Sequence, residues 1–316
     1  MLQEFADFVS YGLLGLAKES HLGEAVNFFV YDSIKVTLLL AIVVFFVGMI
    51  RTFIAPKEVK KFLGKRKEGV GNVLAALLGV PVPFCSCSAV PLFIGFINAG
   101  IPLGVTFSFL IASPLINEVA ATMLFAMFGW KIAAIYIASG LIVAIIAGIL
   151  IGRLGLEKEL TRTVRNTEVI MKGSKNMSWR KRIDFGIDES KRITTNVLPY
   201  LLIGIAVGGF IHGFVPSDSL AALAGKDNPL AVPIAVLLGI PLYSNAAGII
   251  PIVSVLTAKG VAMGTALAFM MAVIGLSLPE MIILRKVMKP KLIAIFALIL
   301  FLAFVVTGYL FNAILG

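Results

Sequence analysis

Six long apolar stretches constrain this chain more than any other feature. They run over Ile34–Ile54, Ile101–Phe128, Ile132–Ile151, Val197–Val215, Val261–Leu284 and Leu292–Leu315. Each is long enough to cross a hydrocarbon core roughly 30 Å thick, which takes about 20 helical residues. No soluble fold offers a home for six such segments. Charged residues make up only 14% of the 316, where a soluble domain carries about 25%. The expected class is therefore an all-α, polytopic protein of the cell's inner (cytoplasmic) membrane.

The formal net charge is +10, and its Lys and Arg residues gather in a few short loops. That distribution reads as membrane topology and contact with anionic lipids, with no nucleic-acid partner. Met1–Phe5 has no basic n-region and is not read as a signal peptide. Residues from about Glu4 to Leu22 are amphipathic and are expected to lie along the interface. Two cysteines, Cys85 and Cys87, are the whole complement, so a disulfide framework is excluded.

Sliding the chain against itself by 160 residues brings glycines and prolines into register. Val47-Gly48 meets Val207-Gly208, Pro56 meets Pro216, and Leu77-Leu78-Gly79 with Pro81 meets Leu237-Leu238-Gly239 with Pro241. Pro91 meets Pro251, Gly100 meets Gly260, Gly104 meets Gly264, and Phe109 meets Phe269. Leu and Ala matches are cheap in an apolar chain, but Gly and Pro fix backbone geometry. The expectation is a duplication.

Loop charge gives the relative orientation of the halves. Arg51–Lys67 holds seven basic residues and its counterpart Ile211–Asp227 one; Phe125–Lys131 holds one and Arg285–Lys291 four. Corresponding loops of opposite bias belong on opposite sides of the membrane, the pattern of an inverted-topology repeat. The expected organisation is a first membrane repeat over 1–152, a basic cytoplasmic linker over 153–190 and a second repeat over 191–316. An even number of passes between the basic loops is then required. Asn72–Val80 and Ser86–Ala99 are each too short to span, and Pro81-Val82-Pro83 divides them. The same design recurs around Pro241-Leu242-Tyr243-Ser244-Asn245. Each half is expected to carry a re-entrant, or short broken, helical hairpin lining a protein cavity.

Cys85 and Cys87 stand one residue apart at the first hairpin tip, beside Ser86 and Ser88. A free cysteine is often just a small buried hydrophobe. Paired at a broken backbone, the two thiols also suit a soft partner such as Cu(I) or trivalent arsenic; metal binding by Cys85 and Cys87 is one form of that reading. Asn245 takes the place of Cys85 in the second half, next to Ser244. Asn117 and Glu118 follow Pro114 within an apolar span, and Glu280 follows Pro279. A carboxylate at membrane depth usually faces a cavity or a partner. Burial disfavours its charged form and suits Glu118 and Glu280 to proton exchange; the bland alternative is a helix–helix hydrogen bond. There is no Gly-x-x-x-x-Gly-Lys-Ser/Thr run, so no nucleotide-driven step and no cofactor are expected.

Pro83-Phe84-Cys85-Ser86-Cys87-Ser88-Ala89-Val90-Pro91, then Gly95, Gly100 and Phe109-Leu110-Ile111-Ala112-Ser113-Pro114-Leu115-Ile116-Asn117, resembles the predicted-permease family of ArsP type. The resemblance covers most of the chain, including the charged linker. Some members of that family export trivalent organoarsenicals. It implies a permease fold and makes Cys85 and Cys87 candidate ligands, but no third cysteine is available for a three-thiol arsenic site. The expected function is a secondary transporter exporting a soft, thiophilic small-molecule or metalloid solute. Cys85, Ser86, Cys87, Asn117, Ser244 and Asn245 would contact it, and Glu118 and Glu280 would handle protons. The alternatives are export of a metal ion such as Cu(I), transport of a small sulfur-containing anion, a membrane thiol oxidoreductase, and a structural subunit. A homo-oligomer is compatible with all of them.

Overall fold

Proline and glycine divide the chain into helices at regular places. In the computed structural model, residues 2–18, 20–51, 69–80, 86–161, 178–214, 228–242, 246–285 and 287–315 are described. Helix α1 spans Leu2–Asp7 and continues as a π-helical turn, Phe8–Leu13; α2 spans His21–Arg51. Then follow α3 (Val70–Gly79), α4 (Ser86–Asn98), α5 (Leu103–Leu115) and α6 (Glu118–Arg153). A 3-10 turn, Leu156–Glu159, leads to α7 (Trp179–Phe214), α8 (Ala231–Gly239), α9 (Ala246–Ala258), α10 (Met263–Gly275), α11 (Leu278–Leu284) and α12 (Pro290–Leu315). Among the described residues the only strand-like pairing is an antiparallel bridge between Leu160 and Met288. The fold is all-α, as expected.

By length and composition three described segments can cross a membrane: Glu118–Arg153, Met263–Leu284 and Pro290–Leu315. Their outer faces fit that role. Ile142, Ile146 and Leu150 on α6, and Leu298, Leu302, Val306 and Leu310 on α12, are exposed at four-residue spacing. That spacing draws a single apolar stripe along a helix. Helices α5 and α10 have no such outer face. Every residue of α5 is buried, as is α10 from Gly264 to Gly275. A helix apolar all round must be wrapped on all sides, and these two form the centre.

The helix boundaries repeat at the 160-residue offset seen in the sequence. Adding 160 to 86–98 gives 246–258, and to 103–115 gives 263–275, the bounds of α9 and α10. The turns repeat as well. Gly100 (φ 75°) donates to the Ile97 carbonyl and Ile101 to the Phe96 carbonyl; Gly260 (φ 94°) donates to Thr257 and Val261 to Leu256. This paired closure of a helix end needs a left-handed residue, which glycine adopts without a Cβ clash.

Small residues set the spacing of the central helices. A Cβ on Gly104 would lie 2.8 Å from the Gly152 Cα, and one on Gly264 would intrude on the Gly308 carbonyl. Close backbone approach of this kind is how helices pack without a hydrophobic drive between them. The polar fillers differ between halves. Asn72 Nδ2 donates to Ser108 Oγ (2.9 Å), while Val232 and Ala268 stand at those positions in the second half. There Asn312 donates to Thr265 Oγ1 (3.1 Å) and accepts from the Thr265 N–H (3.2 Å).

These contacts give the direction of each helix. Thr161 N–H donates to the Val287 carbonyl (3.0 Å) and Lys289 N–H to the Glu159 carbonyl (2.8 Å). The end of α6 therefore lies beside the start of α12, and the two run in opposite directions. The start of α5 lies at that same end, through Gly104 against Gly152, whereas the start of α10 lies at the other, beside Gly308 and Asn312. Hairpin α3–α4 begins and finishes at the linker end. Hairpin α8–α9 begins and finishes at the opposite end, where Tyr309 Oη donates to the Pro229 carbonyl. Helices α2 and α7 pack antiparallel to the side: Phe45 meets Gly186, and Ser190 Oγ donates to the Ala41 carbonyl (2.7 Å).

Several boundaries differ from the sequence reading. Ile101–Phe128 is not one kinked span; it breaks fully at Ile116–Asn117. Inside the expected Phe125–Lys131 loop the α6 segment leaves helical geometry at Gly129 (φ 83°, ψ 170°), and the chain turns back there, since Gly140 lies against Ile116. The expected linker 153–190 is already helical from Trp179, because α2 supports that stretch. The N-terminal helix stops at Leu13 instead of reaching Leu22.

Candidate functional site

Two broken helices and the last residues of α3 and α8 meet near the middle of the molecule. At the first break, Pro114 in the last turn of α5 cannot donate a backbone hydrogen bond. Ile116 (φ −123°, ψ 92°) and Asn117 (φ −122°, ψ 164°) are extended, and α6 restarts at Glu118. Asn117 holds this break together. Its Oδ1 accepts from the Ala120 N–H at 2.7 Å, and its Nδ2 donates to the Pro114 carbonyl at 3.4 Å. This is the N-cap arrangement, which satisfies one of the donors a helix start leaves open. At the second break α10 ends at Gly275, Ser277 is extended (φ −59°, ψ 142°), and α11 begins with Pro279 in its first turn.

The ends of α3 and α8 each abut the break in their own half. Gly79, the last residue of α3, packs so tightly on α5 that a Cβ would lie 3.1 Å from Ser113 N and 3.3 Å from the Phe109 carbonyl. Its equivalent Gly239 stands in the same relation to Ala272 (2.9 Å) and the Phe269 carbonyl (3.1 Å). The second tip is also tied to its break by a hydrogen bond from Leu278 N–H to the Ile240 carbonyl (2.9 Å). Across the halves, α4 packs on α11 and α9 on α6. Leu115 and Gly275, equivalent residues, meet at the centre, where a Cβ on Gly275 would sit 3.5 Å from Leu115 Cδ1.

Helices α4, α6, α9 and α11 start here, while α3, α5, α8 and α10 end here. Helix starts carry partial positive charge and helix ends partial negative charge. The centre therefore offers backbone partners to both signs without needing a buried side-chain charge.

The residues singled out from the sequence fall in three groups. Cys85, Ser244 and Asn245 lie outside the described residues. Ser86 and Cys87 open α4, with side chains outside the description. Asn117, Glu118 and Glu280 are described. Asn117 is half-buried and its amide is engaged in the cap. Glu118 is exposed in the first turn of α6, and Glu280, in the first turn of α11, is 2% exposed. Among the described residues no group of three His, Cys, Asp or Glu side chains is placed to hold a metal.

Sequence reasoning passed over Ser113 as a site residue. It is fully buried, and its hydroxyl has no hydrogen-bond partner. The available signal was a hydroxyl next to proline in an otherwise apolar stretch.

Comparison with known proteins agrees with the membrane reading. The ArsP-type family described as predicted permease matches residues 21–313. A UPF0718 protein of Methanocaldococcus jannaschii is 22% identical, over 90% of this chain and 94% of that one. A Streptococcus mutans protein, provisionally named a two-component membrane permease complex subunit, is 26% identical over 78% of this chain and 81% of its own. A UPF0718 protein of Escherichia coli K12 is 23% identical over 70% and 62%. No solved structure matches.

Proposed function

The chain belongs to the ArsP-type predicted-permease family, and on that footing we propose that it is a secondary transporter of two inverted repeats. Its substrate site lies where the two hairpin tips face the two helix breaks. The observation that carries the reading is that the last residues of α3 and α8, Gly79 and Gly239, pack against the two helix breaks. Broken backbone at membrane depth is tolerated where it lines a cavity, and transporters build midplane sites from discontinuous helices. The opposite run of the equivalent helices α6 and α12 supports the inversion. Two hairpins, each with both ends at one end of the molecule, support re-entrance from opposite sides. The basic stretches at the linker and at Arg285–Lys291, joined through Leu160–Met288, are the cytoplasmic end by their charge.

The favoured substrate is a trivalent organoarsenical, exported from the cell and held by Cys85 and Cys87. Ser86, Ser244 and Asn245 line the path, and Asn117 shapes it through its cap. Glu280, on the helix against α4, is the stronger candidate for proton exchange; Glu118 is the weaker, being exposed. Alternating access moves the hairpin pairs against the α2–α7 scaffold. Proteoliposomes test this directly, with phenylarsine oxide as the probe. Wild-type protein is expected to accumulate the arsenical, and the Cys85→Ser/Cys87→Ser protein to lose at least tenfold of that rate. Equal rates would remove the thiol assignment and turn attention to Cu(I) and sulfur anions. A second reading comes from the Streptococcus mutans relative's name: this chain would act with a companion subunit, and co-purification from native membranes tests that.

A further inference from the structure

The ends of α3 and α5 come together at the first break, and their last-turn carbonyls have no helical donors. Pro114 adds another, since the Leu110 carbonyl loses the N–H that residue 114 would have supplied. Asn117 takes up the Pro114 carbonyl and Ile116 N–H takes up that of Ala112 (2.8 Å). By the same helix-end count the carbonyls of Leu110, Ser113 and Leu115 have no helical donor. Ser113 stands among them, fully buried with its hydroxyl unpartnered. A helical serine ordinarily satisfies itself on the carbonyl four residues back, here that of Phe109, and Ser113 does not. Leaving a buried hydroxyl unpaired is costly, and a bound ligand would offset that cost.

The second half has the same meeting of helix ends, at Gly239, but lacks the hydroxyl and the proline. Val273 and Ile274 stand where the first half has Ser113 and Pro114. Packing therefore does not require the hydroxyl or the proline, because the same two-helix junction closes around Val273 without them.

We propose that the junction of α3 and α5, with the Ser113 hydroxyl and the carbonyls around it, binds an alkali cation. The partners are neutral oxygens at two helix ends, whose dipoles favour positive charge. A divalent ion normally draws on carboxylates to offset its dehydration, and none lies in these two helices. Carbonyl and hydroxyl oxygens suffice for a monovalent ion, as in channel filters. The inference deepens the reading of the central breaks as a transport site, and rests on it: a cation there couples the ion gradient to movement of the tip.

Thermal unfolding of the purified full chain in detergent tests it. Three arms of equal ionic strength contain sodium chloride, potassium chloride or N-methyl-D-glucamine chloride. Wild type is expected to gain on the order of 3 °C in one alkali arm over the organic cation, and the arm that responds names the ion. Ser113→Thr keeps that gain. Ser113→Ala loses it, yet melts no lower than wild type in N-methyl-D-glucamine, since the hydroxyl removed was unsatisfied. No gain in either alkali arm for wild type overturns the site. So does an equal gain in Ser113→Ala, a Ser113→Thr protein without the gain, or a Ser113→Ala protein that fails to fold in all three arms. No arsenical enters this measurement, so protein that responds to the ion but moves no phenylarsine oxide overturns the substrate reading alone.

Discussion

Asn117 shows how one side chain can fix a functional geometry without touching a substrate. Its carboxamide bridges the two sides of the first break, accepting from Ala120 and donating to the Pro114 carbonyl. Asn117→Ala removes the cap, which typically costs about 1 kcal/mol. The expected outcome is a melting temperature lower by about 2 °C, with a larger proportional loss in transport, because the break itself is displaced. Asn117→Asp preserves the acceptor and should keep most of the stability; if both variants melt alike, the cap is not what holds the break. Glu118 and Glu280 separate at this scale too. Glu280→Gln is expected to flatten the pH dependence of arsenical transport and Glu118→Gln to leave it intact, because only the former is buried. A flattened profile in Glu118→Gln alone would reverse the assignment.

Between elements, the two halves solve the same packing problem with different chemistry, and this yields a test that uses the protein's own second half as the design. Ser108→Ala alone leaves the buried Asn72 amide without its acceptor, at a cost of about 1–3 kcal/mol. The double change Asn72→Val/Ser108→Ala installs the Val232 and Ala268 pair of the second half and should recover most of that loss. Chemical denaturation of the three proteins checks it; a double variant as weak as the sum of its parts would mean the halves are not interchangeable here. Gly104→Val allows no such rescue, since the Gly152 Cα lies 2.8 Å from the first added carbon. The same local logic explains what the sequence revealed. Glycines and prolines act on the residues beside them, so the helix ends at Gly100 and Gly260, and the matching bounds of α4 with α9, were legible from those residues. The full break at Ile116–Asn117 was not, because Pro114 alone is compatible with a kink and the Asn117 cap depends on an extended conformation only the fold supplies. Ser113 was hidden for a related reason. That a hydroxyl lacks a partner is a fact about its surroundings, and an apolar sequence around it cannot say whether one exists.

At the scale of the whole molecule, the proposed transport cycle depends on equivalent parts pointing opposite ways. The turn after α4 and the linker start share one end, through Gly104 against Gly152 and Leu160 against Met288. The equivalent turn after α9 lies at the other end, beside Gly308 and Asn312. On the proposed reading, a solute entering from one end meets one hairpin, and from the other end its counterpart. Exchanging the roles of two equivalent hairpins is a symmetric way to alternate access, because one packing geometry serves both states. The arrangement is open to measurement by single cysteines in the Cys85→Ser/Cys87→Ser background, labelled in intact cells by a membrane-impermeant maleimide. Lys259→Cys, in the turn after α9, is expected to react from outside. Ala99→Cys, in the turn after α4, and Lys158→Cys, at the linker, are expected to react only after the membrane is opened. Positions 99 and 259 are 160 apart, so a parallel duplication would place them on the same side. Reaction of both from one side would leave the helices and the repeat in place but end the inverted reading, and with it this route to alternating access.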